Sequence, residues 1–222
     1  MTWVHIGAIQ LLAWAVACPC ADREAPIGEY VGGAEGESIA LRLTEARFTY
    51  ESRGASARPY QGTWTEKDGR IDLTPAYDEA HEAFPKLPVE WRVVDWGLRR
   101  YLVPEGKLIR FCNALNLGDE PRRDASGFAL LRVGDWDKPV TGAPQLAPEW
   151  KAFLLDRPLT GTVVNFEEGG FAKLSLGGNQ GLKAGMALVA HVRGEARCCE
   201  LKVVCPCEDS ARVDIVRREE CG

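Results

Sequence analysis

The sequence predicts a mainly-β protein of two small domains: an N-terminal antiparallel meander or barrel with one or two short helices, then a small five-stranded C-terminal β-barrel. Three observations predict it. Apolar and polar residues alternate with period two, as in Ile39, Leu41 and Leu43 against Ser38, Ala40 and Arg42. Gly- and Asp-bearing turns recur about every ten residues, the spacing of consecutive antiparallel strands. A stretch containing Pro139, Gly142, Pro144 and Pro148 then interrupts the pattern and divides the chain.

The elements follow in order. From Gly28 to Pro75 the chain reads as a meander. Phe48 and Tyr50 alternate with Arg47, Thr49 and Glu51, and Tyr60, Gly62 and Trp64 follow a polar loop. Lys67-Asp68-Gly69-Arg70 is a turn into a strand carrying Ile71 and Leu73. A short helix is expected over Tyr77–Phe84, stopped by Pro85. Val89, Trp91 and Val93 alternate with Glu90 and Arg92, and Asp95-Trp96-Gly97 turns the chain into Leu98–Val103. Pro104, Glu105 and Gly106 open a helix through Leu108, Ile109, Phe111, Cys112 and Leu115 that ends near Gly118. Phe128–Val133 is the closing strand of an N-terminal domain spanning 22–133. Residues 134–158 read as a linker with a short helix at Glu149–Leu155, stopped before Pro158. In 159–222 five strands are expected: Thr160–Phe166, Phe171–Leu176, Met186–Val192, Arg197–Val204 and Ala211–Val216. Five short strands are too few for a sandwich and enough for a small barrel.

Residues 1–21 belong to neither domain. Met1 to Ala17 contain no Lys, Arg, Asp or Glu, and the stretch ends in Ala15-Val16-Ala17-Cys18. An apolar core of about fifteen residues closed by small residues reads as a secretory signal, since a membrane span needs about twenty. Small residues at Ala15 and Ala17 suit signal peptidase, and an uncleaved anchor is the alternative. Cysteine directly after Ala17 resembles the lipobox of bacterial lipoproteins. That resemblance implies acylation of Cys18, which would become the mature N-terminus; Ala15 stands where that motif usually has Leu, and His5 is the only basic-type residue ahead of it. Acyl chains would tether the protein, each buried methylene contributing roughly 0.8 kcal/mol.

Removing 1–21 leaves roughly 200 residues, enough for one large or two small domains. Apolar content of 45% and charged content of 27% are ordinary for a globular chain and argue against disorder. A net charge of −5 gives no electrostatic reason to bind nucleic acid. Arg99-Arg100, Arg122-Arg123 and Arg217-Arg218 are isolated pairs, read as parts of solvated faces.

Two segments carry resemblances. Leu174-Ser175-Leu176-Gly177-Gly178-Asn179-Gln180-Gly181-Leu182-Lys183-Ala184-Gly185-Met186 resembles a strand, Gly-rich turn and strand of small envelope β-barrels. The rod-shape-determining MreC family and the C-terminal domain of flagellar assembly protein T carry similar wording. Physically, the glycines supply positive φ at turns, while Leu182 caps the barrel end that Leu176 and Met186 enter. The run Gly28-Glu29-Tyr30-Val31-Gly32, Leu41, Phe48, Gly62-Thr63-Trp64 and Ile71-Asp72-Leu73 is similar to lipocalin-like meanders. One example is the envelope lipoprotein family NlpE, in which such a barrel precedes a small OB-like barrel. The Cys-x-x-Cys pairs of that family are missing here, so its thiol or copper chemistry is not carried over.

Cysteine is the sharpest chemical signal, with eight in the chain: Cys18, Cys20, Cys112, Cys198, Cys199, Cys205, Cys207 and Cys221. A four-thiolate metal site from Cys199, Cys205, Cys207 and Cys221 fails on geometry. Six strand residues separate Cys199 from Cys205 by about 20 Å, whereas a tetrahedral zinc needs sulfurs within about 4 Å of one another. Cys205-Pro206-Cys207 places two thiols on one side of an extended segment, Cα atoms about 6.5 Å apart with parallel Cβ vectors, poor geometry for a disulfide. Pro206 and Glu208-Asp209 suggest an exposed hairpin tip, reactive or able to bind Cu(I). Cys198 and Cys199 point to opposite faces, so a bond between them would be strained. Structural disulfides, with Cys221 a candidate partner, are one outcome for this set, unpaired or buried thiols a second, and a metal or redox role a third. Acylation of Cys18 would leave seven, so one at least would stay unpaired.

Other motifs carry less. Asp78-Glu79-Ala80-His81 spells a helicase box, but no phosphate-binding Gly-x-x-x-x-Gly-Lys-Ser/Thr precedes it. His81-Glu82 lacks the second His of a zincin, and His191 ends an apolar strand as a structural residue. No Gly-x-Ser-x-Gly elbow is present. Asp72, Glu90 and Asp95 lie near Trp64, Trp91 and Trp96 in sequence, which could line a sugar groove, although aromatics at this spacing are more often core. The expected protein is therefore an exported, membrane-tethered envelope module that binds or supports, with no cofactor, no recognisable catalytic residue, and a protein partner in the envelope. The alternatives are thiol or metal handling through Cys205 and Cys207, helped by Cys198 and Cys199, and a hydrolase with an unrecognised acidic site.

Overall fold

A computed structural model describes residues 2–5, 24–34, 37–53, 59–76, 87–119, 121, 129–191 and 197–220. The protein is mainly β, as the alternation predicts. Its first strand, β1 (Thr2–His5), belongs to the second barrel. The eight that follow are β2 (Gly28–Ala34), β3 (Glu37–Leu43), β4 (Arg47–Arg53), β5 (Tyr60–Lys67), β6 (Arg70–Pro75), β7 (Glu90–Trp96), β8 (Arg99–Pro104) and β9 (Leu130–Arg132). Each pairs antiparallel with its neighbour in the chain, and β9 returns to β2 through Tyr30↔Arg132 and Val31↔Leu131. The result is a closed up-and-down barrel with no free edge.

Alternation explains its interior. Leu41, Leu43, Phe48, Tyr50, Ile71 and Trp91 point inward and are buried, while Arg42, Glu51 and Thr74 between or beside them are exposed. An eight-stranded barrel is just wide enough for side chains to fill it, and large aromatics fill this one. Burial of each contributes roughly 1.5–3 kcal/mol. Tyr50 sits 6.1 Å from Tyr60 and 6.5 Å from Trp91, ring centroid to centroid. Desolvation inside the barrel pushes the Tyr30 and Tyr50 hydroxyls up to about 12.

The Pro/Gly-rich stretch after β9 is tied to the β7–β8 hairpin. Asp95 bridges Gln145, the Trp96 indole N–H donates to the Gly142 carbonyl at 2.8 Å, and Arg99 donates to the Lys138 carbonyl at 2.6 Å. Gly97 lets the strap lie this close: its φ is +59°, and a Cβ there would meet Thr141 N at 2.6 Å. Asp135 is the pin. Its 1%-exposed carboxylate accepts bonds from Lys138 Nζ (2.6 Å), the Arg100 backbone N–H (2.9 Å) and Arg132 Nε (3.1 Å). Burial alone would push this carboxyl up, but the three donors outweigh it and hold it below its ordinary value. Arg100 is itself almost buried, donating to Asp95 at 2.7 Å and to the Glu24 carbonyl at 2.8 Å. The reading of Arg99-Arg100 as a solvated pair is thus corrected.

The second barrel uses β10 (Thr160–Glu167), β11 (Phe171–Leu174), β12 (Ala187–His191), β13 (Arg197–Pro206) and β14 (Ala211–Glu220), matching the five expected strands closely. These form a curled antiparallel sheet in the order β10-β11-β14-β13-β12, and β1 closes it between β10 and β12. Its core is aliphatic, with Leu174, Leu188, Leu201, Val203 and Val213 inside. Leu176, Leu182 and Met186 of the Gly-rich segment are buried in the same cluster.

The helix opened by Pro104 is present: a 3-10 turn at Glu105–Lys107 runs into α1 (Leu108–Leu117), and Gly118 follows with φ +81°. The Glu149–Leu155 helix is shorter than expected. Only α2 (Pro148–Lys151) is regular, and tight turns carry the chain on to Leu155. The expected helix at Tyr77–Phe84 lies outside the described residues. By contacts the chain forms two compact units: Leu12–Leu108 with Glu120–Leu146, and Met1–Leu11 with Ile109–Asp119 and Ala147–Gly222. Two asparagines one turn apart on α1 serve the second unit. Asn113 donates to the Gly185 carbonyl and accepts from the Ala187 N–H, both at 3.0 Å. Asn116 donates to the Phe153 carbonyl and accepts from the Leu155 N–H, both at 2.9 Å.

Candidate functional site

Chemistry-bearing side chains concentrate on the β13–β14 hairpin. Inward residues Leu201 and Val203 alternate with exposed Lys202, and strict alternation would turn Cys205 inward next. A register shift between Val203 and Cys205 intervenes, so both Val204 and Cys205 are exposed. Pairing resumes with Cys205↔Arg212 and Pro206↔Ala211. The Cys207 N–H then donates to the Ser210 carbonyl at 2.7 Å, closing the tip, and Cys207 is exposed as well.

The Gly-rich turn holds this tip from below. Gly178 N–H donates to the Cys207 carbonyl at 2.6 Å, Asn179 N–H to the Glu208 carbonyl at 2.9 Å, and Asn179 Nδ2 to Asp209 at 3.0 Å. Gly177 is required by close approach, because a Cβ there would collide with the Cys207 and Glu208 carbonyls and the Ser210 nitrogen. The backbone under the two thiols is therefore fixed. Arg212, the cation paired in register with Cys205, is committed elsewhere: it donates to Glu167 at 2.9 Å and covers the Phe171 ring at 3.9 Å. Chemically, the tip can offer two accessible thiols to an oxidant, an electrophile or a soft monovalent metal.

The remaining cysteines are dispersed. Cys198 and Cys199 lie at the far end of β13 from Cys205 and Cys207. Cys199 pairs with Ala190 and packs on the core, while Cys198 pairs with His191 across the β12–β13 ladder. Sequence reading missed this Cys198–His191 neighbourhood; counting outward from the 192–196 loop would have found it. Cys112 is buried in α1, its thiol within 3.6 Å of the Trp150 carbonyl, and burial pushes it up to about 12. None of the described cysteines is bridged. Among the described residues no three His, Cys, Asp or Glu are grouped to hold a metal ion. Cys18, Cys20, His81 and Cys221 lie outside the described residues.

The acidic residues of the sugar-groove alternative are spent on arginines. Arg70 donates to Asp72 at 2.9 Å and to Glu90 at 2.6 Å, and Asp95 holds Arg100. Trp91 is a core residue, and the indole N–H groups of Trp64, Trp91 and Trp96 donate to the carbonyls of Thr44, Pro88 and Gly142. Among the described residues no helix is long and apolar enough to cross a membrane, a statement that does not bear on strands.

Fold and site together define a two-barrel antiparallel β protein with an exposed thiol hairpin. No family model, curated protein or solved structure matches the chain.

Proposed function

We propose that the protein is exported and acts in the cell envelope as a binding or structural module, tethered to a membrane through acylated Cys18. The observation that carries this reading is the charge-free run from Met1 to Ala17, ending in Ala15-Val16-Ala17 ahead of Cys18. Both barrel interiors hold a core of buried side chains, which favours recognition by outer surfaces over an internal ligand. The partner is another envelope protein, since a net charge of −5 offers nothing to nucleic acid. Substituting Cys18→Ser tests the tether. The wild-type protein should sediment with membranes and the variant should not; identical partitioning of the two overturns it.

A second reading, thiol or Cu(I) handling, is favoured by the exposed, unbridged pair Cys205 and Cys207 on a fixed turn. Exposing the protein to copper or zinc and measuring bound metal separates the two. A binding or structural module holds less than one equivalent, and a thiol handler loses its metal when Cys205 and Cys207 are both replaced by Ser.

A further inference from the structure

The five-stranded sheet of the second barrel closes only through β1, and β1 is drawn from the segment that export would remove. We propose that the seat between β10 and β12 is a strand-acceptor site of the processed protein, taking one extended segment of a partner polypeptide. This rests on the export reading above and names the kind of partner.

The seat has defined length, direction and register. Thr2–His5 run antiparallel to both neighbours, opposite Val163–Thr160 on β10, with Trp3 and Val4 opposite His191 and Ala190 on β12. All other adjacent strands of this barrel pair directly with one another. Cleavage after Ala17 therefore opens one gap and leaves unpaired backbone groups on each side of it. Free edges are normally guarded by charge, proline or a bulge. The seat edges, Thr160-Gly161-Thr162-Val163 on β10 and Ala190-His191 on β12, contain no Lys, Arg, Asp, Glu or proline, and the register shift of β10 falls at their end, between Val163 and Asn165. Edges of this kind are built to be paired.

The same geometry selects the occupant. A gap flanked on both sides by strands of one barrel needs a lone strand with two free edges, whereas the edge strand of a folded sheet has one side already taken. The occupant is thus an extended terminus or linker of another chain, at least four residues long, bound by main-chain hydrogen bonds. The register position of Val4 lies between Gly161 and Ala190, both buried and small, so an apolar residue fits there and a charge does not. On β10 beyond the seat, Val164 and Phe166 are 61% and 67% exposed and offer a longer partner further apolar contact.

The test uses the full chain and hydrogen–deuterium exchange of the Thr160–Val163 and Ala190–His191 amides. Val4→Pro should raise exchange at both edges about tenfold or more while β13–β14 amides are unchanged. A synthetic heptapeptide with the sequence of residues 1–7 should restore protection, and the same peptide with Val4→Glu should not. Processed protein recovered from the envelope provides a second sample that lacks β1 without any substitution, in case the variant fails to fold. Edges that stay protected without peptide, because the sheet closes on itself, overturn the proposal, as does a peptide that restores nothing. Mass analysis of the N-terminus keeps the two ideas apart: a chain beginning at Met1 or Thr2 refutes cleavage and with it a vacant seat, whereas a chain beginning at Cys18 whose edges stay protected without peptide refutes the seat alone.

Discussion

The two barrels solve closure differently. In the first, eight strands pair strictly with their chain neighbours, and β9 reaches back to β2 around an aromatic core. In the second, five strands from the C-terminal third leave a gap that a four-residue strand from the opposite end of the chain fills. The first closure is written into consecutive hairpins. The second depends on a segment distant in sequence, whose presence export would change. The first barrel closes through strands between Gly28 and Arg132 alone, and the second closes only with Thr2–His5 in place.

The largest expected effect lies in the first core. Trp91 lies among Tyr50 and the aliphatic residues of that barrel, so Trp91→Ala should cost about 3–5 kcal/mol in denaturant unfolding. Loss of protection should begin in β2–β9; an effect below about 1 kcal/mol would show that this barrel does not rest on its aromatic core. Asp135→Asn should cost about 2–3 kcal/mol, because three donors lose a charged acceptor. Its depressed pKa fixes the sign of the pH dependence. The contribution is present above the unfolded carboxylate value of about 3.9 and disappears as pH falls through the lower folded value. Acid unfolding of the wild type should therefore steepen below about pH 4, and the variant should lack that component.

Smaller effects sharpen the second unit. Asn116→Ala removes two bonds to the Phe153–Leu155 turn and should cost about 1–2 kcal/mol, with exchange at Leu155 accelerated and β2–β9 unaffected. The smallest energetic effect belongs to thiol labelling, which should leave stability unchanged. Cys205 and Cys207 should react with iodoacetamide in the native protein, whereas Cys112, pushed up to about 12 by burial, should react only after unfolding. Native labelling of Cys112 at neutral pH would contradict its placement.

Local pattern made much of this fold legible. Period-two runs located β2–β8 and β10–β14, and Pro104-Glu105-Gly106 with Gly118 framed α1. What stayed hidden was long-range. Thr2–His5 sit in a uniformly uncharged stretch with no alternation, so nothing local marks them as a strand. Periodicity also does not say which barrel a helix will serve, a matter decided by Asn113 and Asn116. At the candidate site, the exposed hairpin tip was readable from Pro206 and Glu208-Asp209. The outward turn of Cys205 depends on the shift after Val203, and the Cys198–His191 pairing depends on register across a loop. Neither is a property of composition.

Intact-mass spectrometry of the protein recovered from the envelope fraction tests the central claim most directly. A lipidated envelope protein would give a chain beginning at Cys18 with added acyl mass, so that β1 is gone from the working form. A full-length product with Met1 or Thr2 at its front, found in the soluble cytosolic fraction, would contradict it.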